Sequence, residues 1–174
     1  MEKKKLVNFQ IFSIILEIIL GALFHFTFEW SNKNILMGAF SSVNESTWEH
    51  LKLAFFPMLS TTIIGFFIFD KNKNFFCSKA IGIITTISFI IIFFYTYTGI
   101  LGRNLSIIDI LSFDFAIIFG EYISFKRIVS NTDCNNNISL ILLTVLFFLF
   151  IFFTYNPPKI ALFQDPLTGL YGIF

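Results

Sequence analysis

The sequence predicts an all-α fold, a polytopic transmembrane bundle of about five helices. Hydrophobic residues make up 56% of the 174 residues, and only 13% are charged, against about 25% in soluble domains. Apolar stretches long enough to cross a hydrocarbon core of about 30 Å recur along the chain. The net charge of +1 gives no electrostatic basis for binding nucleic acid. The predicted partner is therefore the lipid bilayer, and protein partners are left open.

The spans belong to a single integral membrane domain that covers residues 1–174. They are predicted at residues 6–30, 45–69, 77–101, 105–125 and 138–155. The first span is kept as a helix because a signal peptide would have an apolar core of only about 7–15 residues. In the second, Pro57 removes a backbone hydrogen bond and predicts a kink. Ser60, Thr61 and Thr62 follow it and could satisfy the freed carbonyls.

The distribution of basic residues predicts the orientation. With the N-terminus inside, eight Lys and Arg residues lie at the inner face and four at the outer face, in agreement with the positive-inside rule. The inner eight are Lys3, Lys4, Lys5, Lys71, Lys73, Lys79, Lys126 and Arg127. The predicted location is the cell membrane, multi-pass, with a cytoplasmic N-terminus and an extracellular C-terminus. Cys77 and Cys134 then lie on the cytoplasmic side, where we expect reduced thiols.

A polar stretch at residues 41–52 opens the second span. Ser46, with Glu49 three residues later, fits a capping box, and Asn44 is the alternative helix cap. An acidic residue in the first turn also suits the positive end of the helix dipole. Trp48 is interpreted as an interfacial anchor. This helix-start interpretation leaves His50 unexplained.

In the predicted orientation most of the unusual polar residues gather at the outer face. The candidate catalytic residues are Glu45, Glu49 and His50. The candidate binding residues are His25, Glu29, Arg103, Asp109 and Asp165. A metal-free site could use a Glu–His pair as acid and base. The alternative for the buried acids, such as Glu17 and Asp114, is a structural ion pair or hydrogen-bond network between helices.

Two imidazoles with nearby carboxylates also suit a divalent metal ion. Zinc in catalytic sites takes three protein ligands of this kind and leaves a fourth position for water. His25 and Glu29 are four residues apart on a helix and can converge. The predicted metal ligands are therefore His25, Glu29 and His50, although no spacing here is a recognised metal signature.

The tail, residues 156–174, is predicted to form an extramembrane lid over these residues. Pro157 and Pro158 make its start stiff and extended. Asp165 to Gly169 is typical of a turn, in which Asp accepts backbone hydrogen bonds and Gly permits a left-handed exit. The alternative is a tail that lies in the lipid interface, held by its aromatic side chains.

Two motifs resemble those of a known family. Residues 44–52, preceded by Val43, fit the pattern N-E-S-x-W-E-H-L-K and are followed by Phe55-Phe56-Pro57, and residues 165–172 fit D-P-x-T-G-x-Y-G. The chain resembles a family of uncharacterised integral membrane proteins of clostridia-like Gram-positive bacteria. The resemblance implies a small polytopic membrane protein and carries no activity, ligand or partner.

Two functions are consistent with these residues. The first is a membrane enzyme whose site opens to the outer face and acts on a lipid head group or an envelope precursor. No nucleophilic Ser or Cys stands out at that face, so such an enzyme would activate water. The second is a non-enzymatic protein that binds an ion or a small molecule, or is a subunit of a membrane assembly. The absence of an internal repeat argues against an inverted-repeat transporter.

Overall fold

A computed structural model describes residues 3–69 and 74–173 and confirms the all-α fold. Helix accounts for 77% of the structure, and no strand occurs in those two ranges. The helices are α1 (Lys3–Trp30), α2 (Ile35–Gly38), α3 (Thr47–Ile68), α4 (Phe75–Leu101), α5 (Ser106–Val129) and α6 (Asn136–Tyr155). One turn of 3-10 helix follows at Ala161–Phe163. Residues 70–73, between the second and third predicted spans, lie outside the described residues.

Four helices (α1, α3, α4 and α6) are long and apolar enough to cross a membrane. They support a multi-pass membrane protein. The remaining predicted span, 105–125, corresponds to α5, which is helical but carries three acidic residues, Asp109, Asp114 and Glu121. Its passage through the bilayer stays a prediction.

α1 and α3 approach closely at Gly21. A Cβ atom at this position would lie 2.9 Å from the carbonyl oxygen of Leu53, so only glycine permits this contact. Leu53 is also the residue whose carbonyl loses its helical donor to Pro57, four residues later. The hydroxyls predicted to satisfy that carbonyl bond elsewhere: Ser60 donates to the Pro57 carbonyl at 2.7 Å, and Thr62 to the Met58 carbonyl at 2.7 Å.

α4 and α5 also pack through small residues. A Cβ atom on Gly120 would lie 2.6 Å from the carbonyl oxygen of Gly82 and would clash with the hydroxyl of Thr86. Thr86 donates across the same interface to the carbonyl of Ala116 at 3.1 Å. Small residues and interhelical hydrogen bonds are the usual means by which helices associate in lipid.

The structure joins Cys77 and Cys134 in a disulfide, so the prediction of free thiols is wrong. The start of α4 lies beside the segment between α5 and α6, and the backbone N–H of Cys77 donates to Asn136 Oδ1 at 3.2 Å. This contact brings the two cysteine Cα atoms to 6.0 Å, a separation that a disulfide can bridge. We call this end of the bundle the disulfide face, and the opposite end, with the start of α3, the His face.

The tail folds back against the start of α3. Phe163 packs on Trp48, with ring centroids 4.8 Å apart, and Asn44 donates its amide N–H to the carbonyl of Gly172 at 2.9 Å. The predicted turn is confirmed, because Asp165 Oδ1 accepts from the N–H of Leu167 at 2.7 Å and its carbonyl accepts from Gly169. The tail therefore covers Trp48 and braces the loop before α3.

Candidate functional site

The start of α3 is fixed by two side-chain caps. Ser46 Oγ accepts from the backbone N–H of Glu49 at 3.4 Å, which confirms the predicted cap. Asn44 Oδ1 accepts from the N–H of Ser46 at 2.8 Å. The return contact of a capping box differs, because the Glu49 carboxylate accepts from the N–H of Val43 at 3.1 Å. These bonds give the loop before α3 a defined path and thereby position Glu45.

Three side chains from α1, α3 and this loop converge at the His face. His50 Nε2 lies 3.4 Å from Glu45 Oε2, and His25 Nε2 lies 4.0 Å from Glu45 Oε1. The two imidazole centroids are 5.3 Å apart. One ligand atom from each residue lies within 4.8 Å of the others, so we call this group the His–Glu cluster.

Both imidazoles are oriented by their second nitrogen. His50 Nδ1 donates to the carbonyl of Ser46 at 2.9 Å. Ser42 donates its hydroxyl to the carbonyl of His25 at 3.3 Å, and the same oxygen lies 3.2 Å from His25 Nδ1 and accepts from it. In each ring Nδ1 therefore carries a proton and Nε2 is directed toward Glu45; the proton that His50 Nε2 donates to Glu45 would be released when a metal ion binds. Such outer hydrogen bonds are what fixes the tautomer of metal-binding histidines.

The cluster is half-buried and negatively biased. The side chains of His25 and His50 are 33% and 32% exposed, and that of Glu45 is 43% exposed. The hydrogen bond from His50 is the largest influence on Glu45 and lowers its pKa; the nearby imidazole charges lower it further, against the opposing effect of partial burial. Glu45 therefore remains an ionised carboxylate at neutral pH, as a metal ligand must be.

The donor set fits a divalent metal ion of the zinc class. Two imidazole nitrogens and one carboxylate oxygen are a common catalytic zinc set. The ligand atoms now lie within 4.8 Å of one another, and tetrahedral ligands at about 2.0–2.1 Å from zinc lie about 3.3 Å apart, so the widest pair would contract by up to about 1.5 Å. Rotation of the Glu45 side chain can shorten its distances to both imidazoles, and movement of the two histidine side chains must shorten the distance between the rings. The same groups, without a metal, form a Glu–His pair capable of acid–base chemistry.

Glu29, one of the predicted metal ligands, points away from the cluster. Its Oε1 lies 4.0 Å from Nζ of Lys33, in the loop after α1, and its side chain is 67% exposed. Four residues exceed one helical turn by about 40°. Polar side chains spaced by multiples of four residues on α1 therefore turn from the buried Glu17, through His25, to the exposed Glu29. In the structure Glu45, from the loop, stands beside the imidazoles instead.

Glu49 lies in a different environment from its neighbour His50. Its Oε2 is 2.6 Å from Lys52 Nζ, and both side chains are almost fully buried. Thr154 of α6 donates its hydroxyl to Glu49 Oε1 at 3.1 Å and accepts from Lys52 at 2.8 Å. Lys52 also donates to the carbonyl of Gly38. We call this group the Lys52–Glu49 clamp; both carboxylate oxygens of Glu49 accept hydrogen bonds from partners outside the His–Glu cluster.

The other predicted binding residues are engaged elsewhere. Asp109 accepts from the hydroxyl of Tyr97 and, at 3.3 Å, from the amide of Asn104. Asp165 serves the turn of the tail, and Arg103 is exposed beyond the end of α4. The structure thus brings together His25, Glu45 and His50 from the predicted set.

Two residues of these sites were not predicted from the sequence, and Trp48 lies in a different environment from the predicted one. Ser42, which orients His25, and Thr154, which completes the clamp, carry no sequence signal beyond being hydroxyl residues within apolar or capping segments. Trp48 was predicted at the lipid interface, yet it is buried between α6 and the tail, against Phe150 and Phe163. The burial of Trp48 reflects the returning tail, which covers the face that would otherwise meet lipid.

Comparison with known proteins gives one family. A family described as "Family of unknown function (DUF6512)" matches residues 1–173. The chain belongs to this family. DUF6512 therefore covers both the bundle and the tail, with the His–Glu cluster inside the matched region. No curated protein and no solved structure matches the chain significantly.

Proposed function

We propose that this integral membrane protein binds a divalent metal ion of the zinc class through His25, Glu45 and His50. The observation that carries the proposal is the orientation of the two imidazoles. Each is held through Nδ1, and each directs Nε2 toward the same ionised carboxylate. An ordinary ion pair between histidine and glutamate needs one imidazole and no fixed tautomer, whereas a metal site needs converging lone pairs.

A hydrolytic role is the second candidate, and the partial exposure of all three ligands favours it. Three protein ligands would leave a fourth position for water, whose pKa a bound zinc lowers to about 7. The cluster lies at the end of the bundle, so a substrate would reach it from the membrane surface. We infer a lipid head group or an envelope precursor as the substrate class; simple metal binding without chemistry is the alternative.

The orientation of the chain is part of the proposal. The eight-to-four split of basic residues favours a cytoplasmic N-terminus, which would put the His face outside. The disulfide would then lie on the cytoplasmic side; Cys77 is only 4% exposed, and exchange with cellular thiols requires access to the sulfur. The envelope substrate also rests on the resemblance to membrane proteins of Gram-positive bacteria.

Impermeant thiol labelling in intact cells tests this orientation. Single cysteines would replace Lys33 on the His face or Asn131 on the disulfide face, in a chain with Cys77→Ser and Cys134→Ser. Labelling at position 33 alone is expected. Labelling at position 131 alone would place the cluster inside the cell and exclude an envelope substrate.

Equilibrium dialysis of the purified protein against Zn²⁺ tests metal binding. The wild-type chain should bind one zinc ion, and Glu45→Gln and His25→Asn should each weaken binding by at least about 10-fold, the size of a lost ligand-shell contact. Glu29→Gln is the matched control. Glu29 lies near the same end of α1 as His25, but it pairs with Lys33 instead of the cluster. Equal binding by Glu45→Gln and wild type would refute the site.

A further inference from the structure

A second polar group lies inside the bundle, away from the His–Glu cluster. Lys79 of α4 donates to both carboxylate oxygens of Glu121 of α5, at 2.6 Å each. Gln10 of α1 donates to Glu121 Oε2 at 2.6 Å. All three side chains are at least 95% buried. Lys79 and Glu121 therefore form an ion pair whose charges cancel, and Gln10 is an uncharged partner.

Glu17 adds a further carboxyl to this group. It is fully buried on α1, and Thr61 of α3 donates its hydroxyl to Glu17 Oε1. Glu17 interacts electrostatically with Glu121 and Lys79, and its carboxyl is close enough to that of Glu121 to hydrogen-bond with it once either carries a proton. α3 contributes the uncharged Thr61, α4 contributes Lys79 and α5 contributes Glu121. Lys79 forms its ion pair with Glu121 and acts on Glu17 through its charge.

The second oxygen of Glu17 has no hydrogen-bond partner. Oε2 is buried and unpaired in the described part of the chain, and so is the hydroxyl of Ser13, one turn earlier on α1. A buried carboxylate without a donor and without its own counter-charge is strongly disfavoured, in lipid above all. Two carboxylates and one ammonium leave an excess of one negative charge at this place. The missing partner must therefore be a positive charge or a proton.

We propose that Glu17 and Glu121 form a carboxyl–carboxylate pair that holds one proton, with Lys79 as its counter-ion. The proton comes from water, forms an O–H bond on Oε2 of Glu17 and is shared with the facing carboxylate of Glu121. This gives the unpaired oxygen its partner and makes the group electrically neutral. The pair is a proton-binding site between α1, α4 and α5, separate from the metal site.

The site joins the same helices that carry the His–Glu cluster. Glu17 lies eight residues before His25 on α1, and Thr61 lies eleven residues after His50 on α3. Between them the two helices are in close contact at Gly21 and Leu53, where no side chain can be inserted. Loss of the proton would repel α1 from α5, because two carboxylates would face each other. The packing of α1 seen in the structure therefore requires a proton on this pair.

Infrared spectroscopy of the whole protein tests the proposal, in a detergent without ester groups so that only the protein contributes acid carbonyl bands. At neutral pH the wild-type spectrum should contain the C=O stretch of one protonated carboxylic acid per chain, shifted in D₂O. Both Glu17→Gln and Glu121→Gln should lose this band, because each leaves a single carboxylate opposite Lys79. Glu29→Gln, at an exposed position of the same helix, should retain it.

If a variant does not fold, the wild-type spectrum alone tests whether Glu17 and Glu121 hold a proton. Absence of the acid band at neutral pH overturns the proposal, and so does a band that survives in both Glu17→Gln and Glu121→Gln. A band that appears only in buffers without Na⁺ and K⁺ would identify a metal-cation site and would also overturn it. Addition of Zn²⁺ should leave the band unchanged, which separates this result from the fate of the His–Glu cluster.

Discussion

Glu49 and His50 are neighbours in sequence, yet they belong to opposite kinds of site. Glu49 is 2% exposed, and Lys52, Thr154 and the N–H of Val43 occupy its carboxylate. The His50 side chain is 32% exposed, and its Nε2 faces Glu45 alone. Successive residues differ by about 100° around a helix, so one turn of α3 supplies both the inward clamp and the outward cluster.

The difference separates polar groups that hold the fold from those available to a ligand. In the clamp each acceptor has its donor, and the four groups involved tie α3 to α6 and to the end of α2. In the cluster, two imidazole Nε2 atoms and the Glu45 carboxylate converge on one another, and among the described residues no group from outside the cluster donates to the carboxylate. Saturation of hydrogen-bonding capacity, rather than residue type, therefore distinguishes the two sites.

The largest effect is expected from breaking the clamp. Lys52→Met leaves the Glu49 carboxylate buried without its cation, which costs about 3–5 kcal/mol in the free energy of unfolding. Unfolding in detergent, followed by circular dichroism, measures it. Lys33→Met removes the exposed partner of Glu29 and should change stability by no more than about 1 kcal/mol. Equal effects of the two substitutions would contradict the distinction.

The second effect is stabilisation by metal. Zinc at about 100 times its dissociation constant should stabilise the wild-type chain by about 2.7 kcal/mol, because it binds the folded state. His50→Gln should remove this gain while leaving the metal-free stability nearly unchanged, since His50 lies outside the clamp. The measurement is the thermal midpoint with zinc and with chelator. A zinc-dependent shift that persists in His50→Gln would place the metal elsewhere.

Ser42 gives an intermediate effect. Ser42→Ala removes the acceptor that fixes Nδ1 of His25, and such outer contacts are worth about 10–100-fold in metal affinity. Zinc titration measures the change. Ser60→Ala removes a hydroxyl that bonds only within its own helix, and it should leave zinc affinity as in the wild type. If both variants bound zinc as the wild type does, His25 would not depend on Ser42 for its orientation.

The smallest effect is expected at the contact between the tail and the loop. Asn44→Ala removes a bond to the carbonyl of Gly172 and a cap on Ser46, at a cost of about 1–2 kcal/mol. In a Trp30→Phe background only Trp48 fluoresces, and its emission should shift to the red as the tail loosens. An unchanged emission spectrum after deletion of residues 156–174 would exclude the tail as the cover of Trp48.

The helices and the start of α3 were predictable because they depend on local sequence. Apolar length predicts the spans, and the Ser46 cap needs only three residues of spacing. The antiparallel order of α1 and α3 also brings His25 to His50. Glu45 was predicted as a catalytic residue, but its position beside both imidazoles in place of Glu29 was not predictable, since the loop path that places Glu45 depends on hydrogen bonds with the folded tail. The same holds for the Cys77–Cys134 bond and the Lys79–Glu121 pair, which join residues far apart in sequence.

X-ray absorption at the zinc edge of the zinc-loaded protein tests the central claim most directly. Zinc bound by the His–Glu cluster should have two imidazole nitrogens and at least one oxygen at about 2.0–2.1 Å from the metal. His25→Asn and His50→Gln should each reduce the imidazole contribution to one ring, while Glu29→Gln should give the wild-type spectrum. A spectrum without imidazole scattering, or one that neither histidine substitution changes, would contradict the assignment of the His–Glu cluster as a metal site.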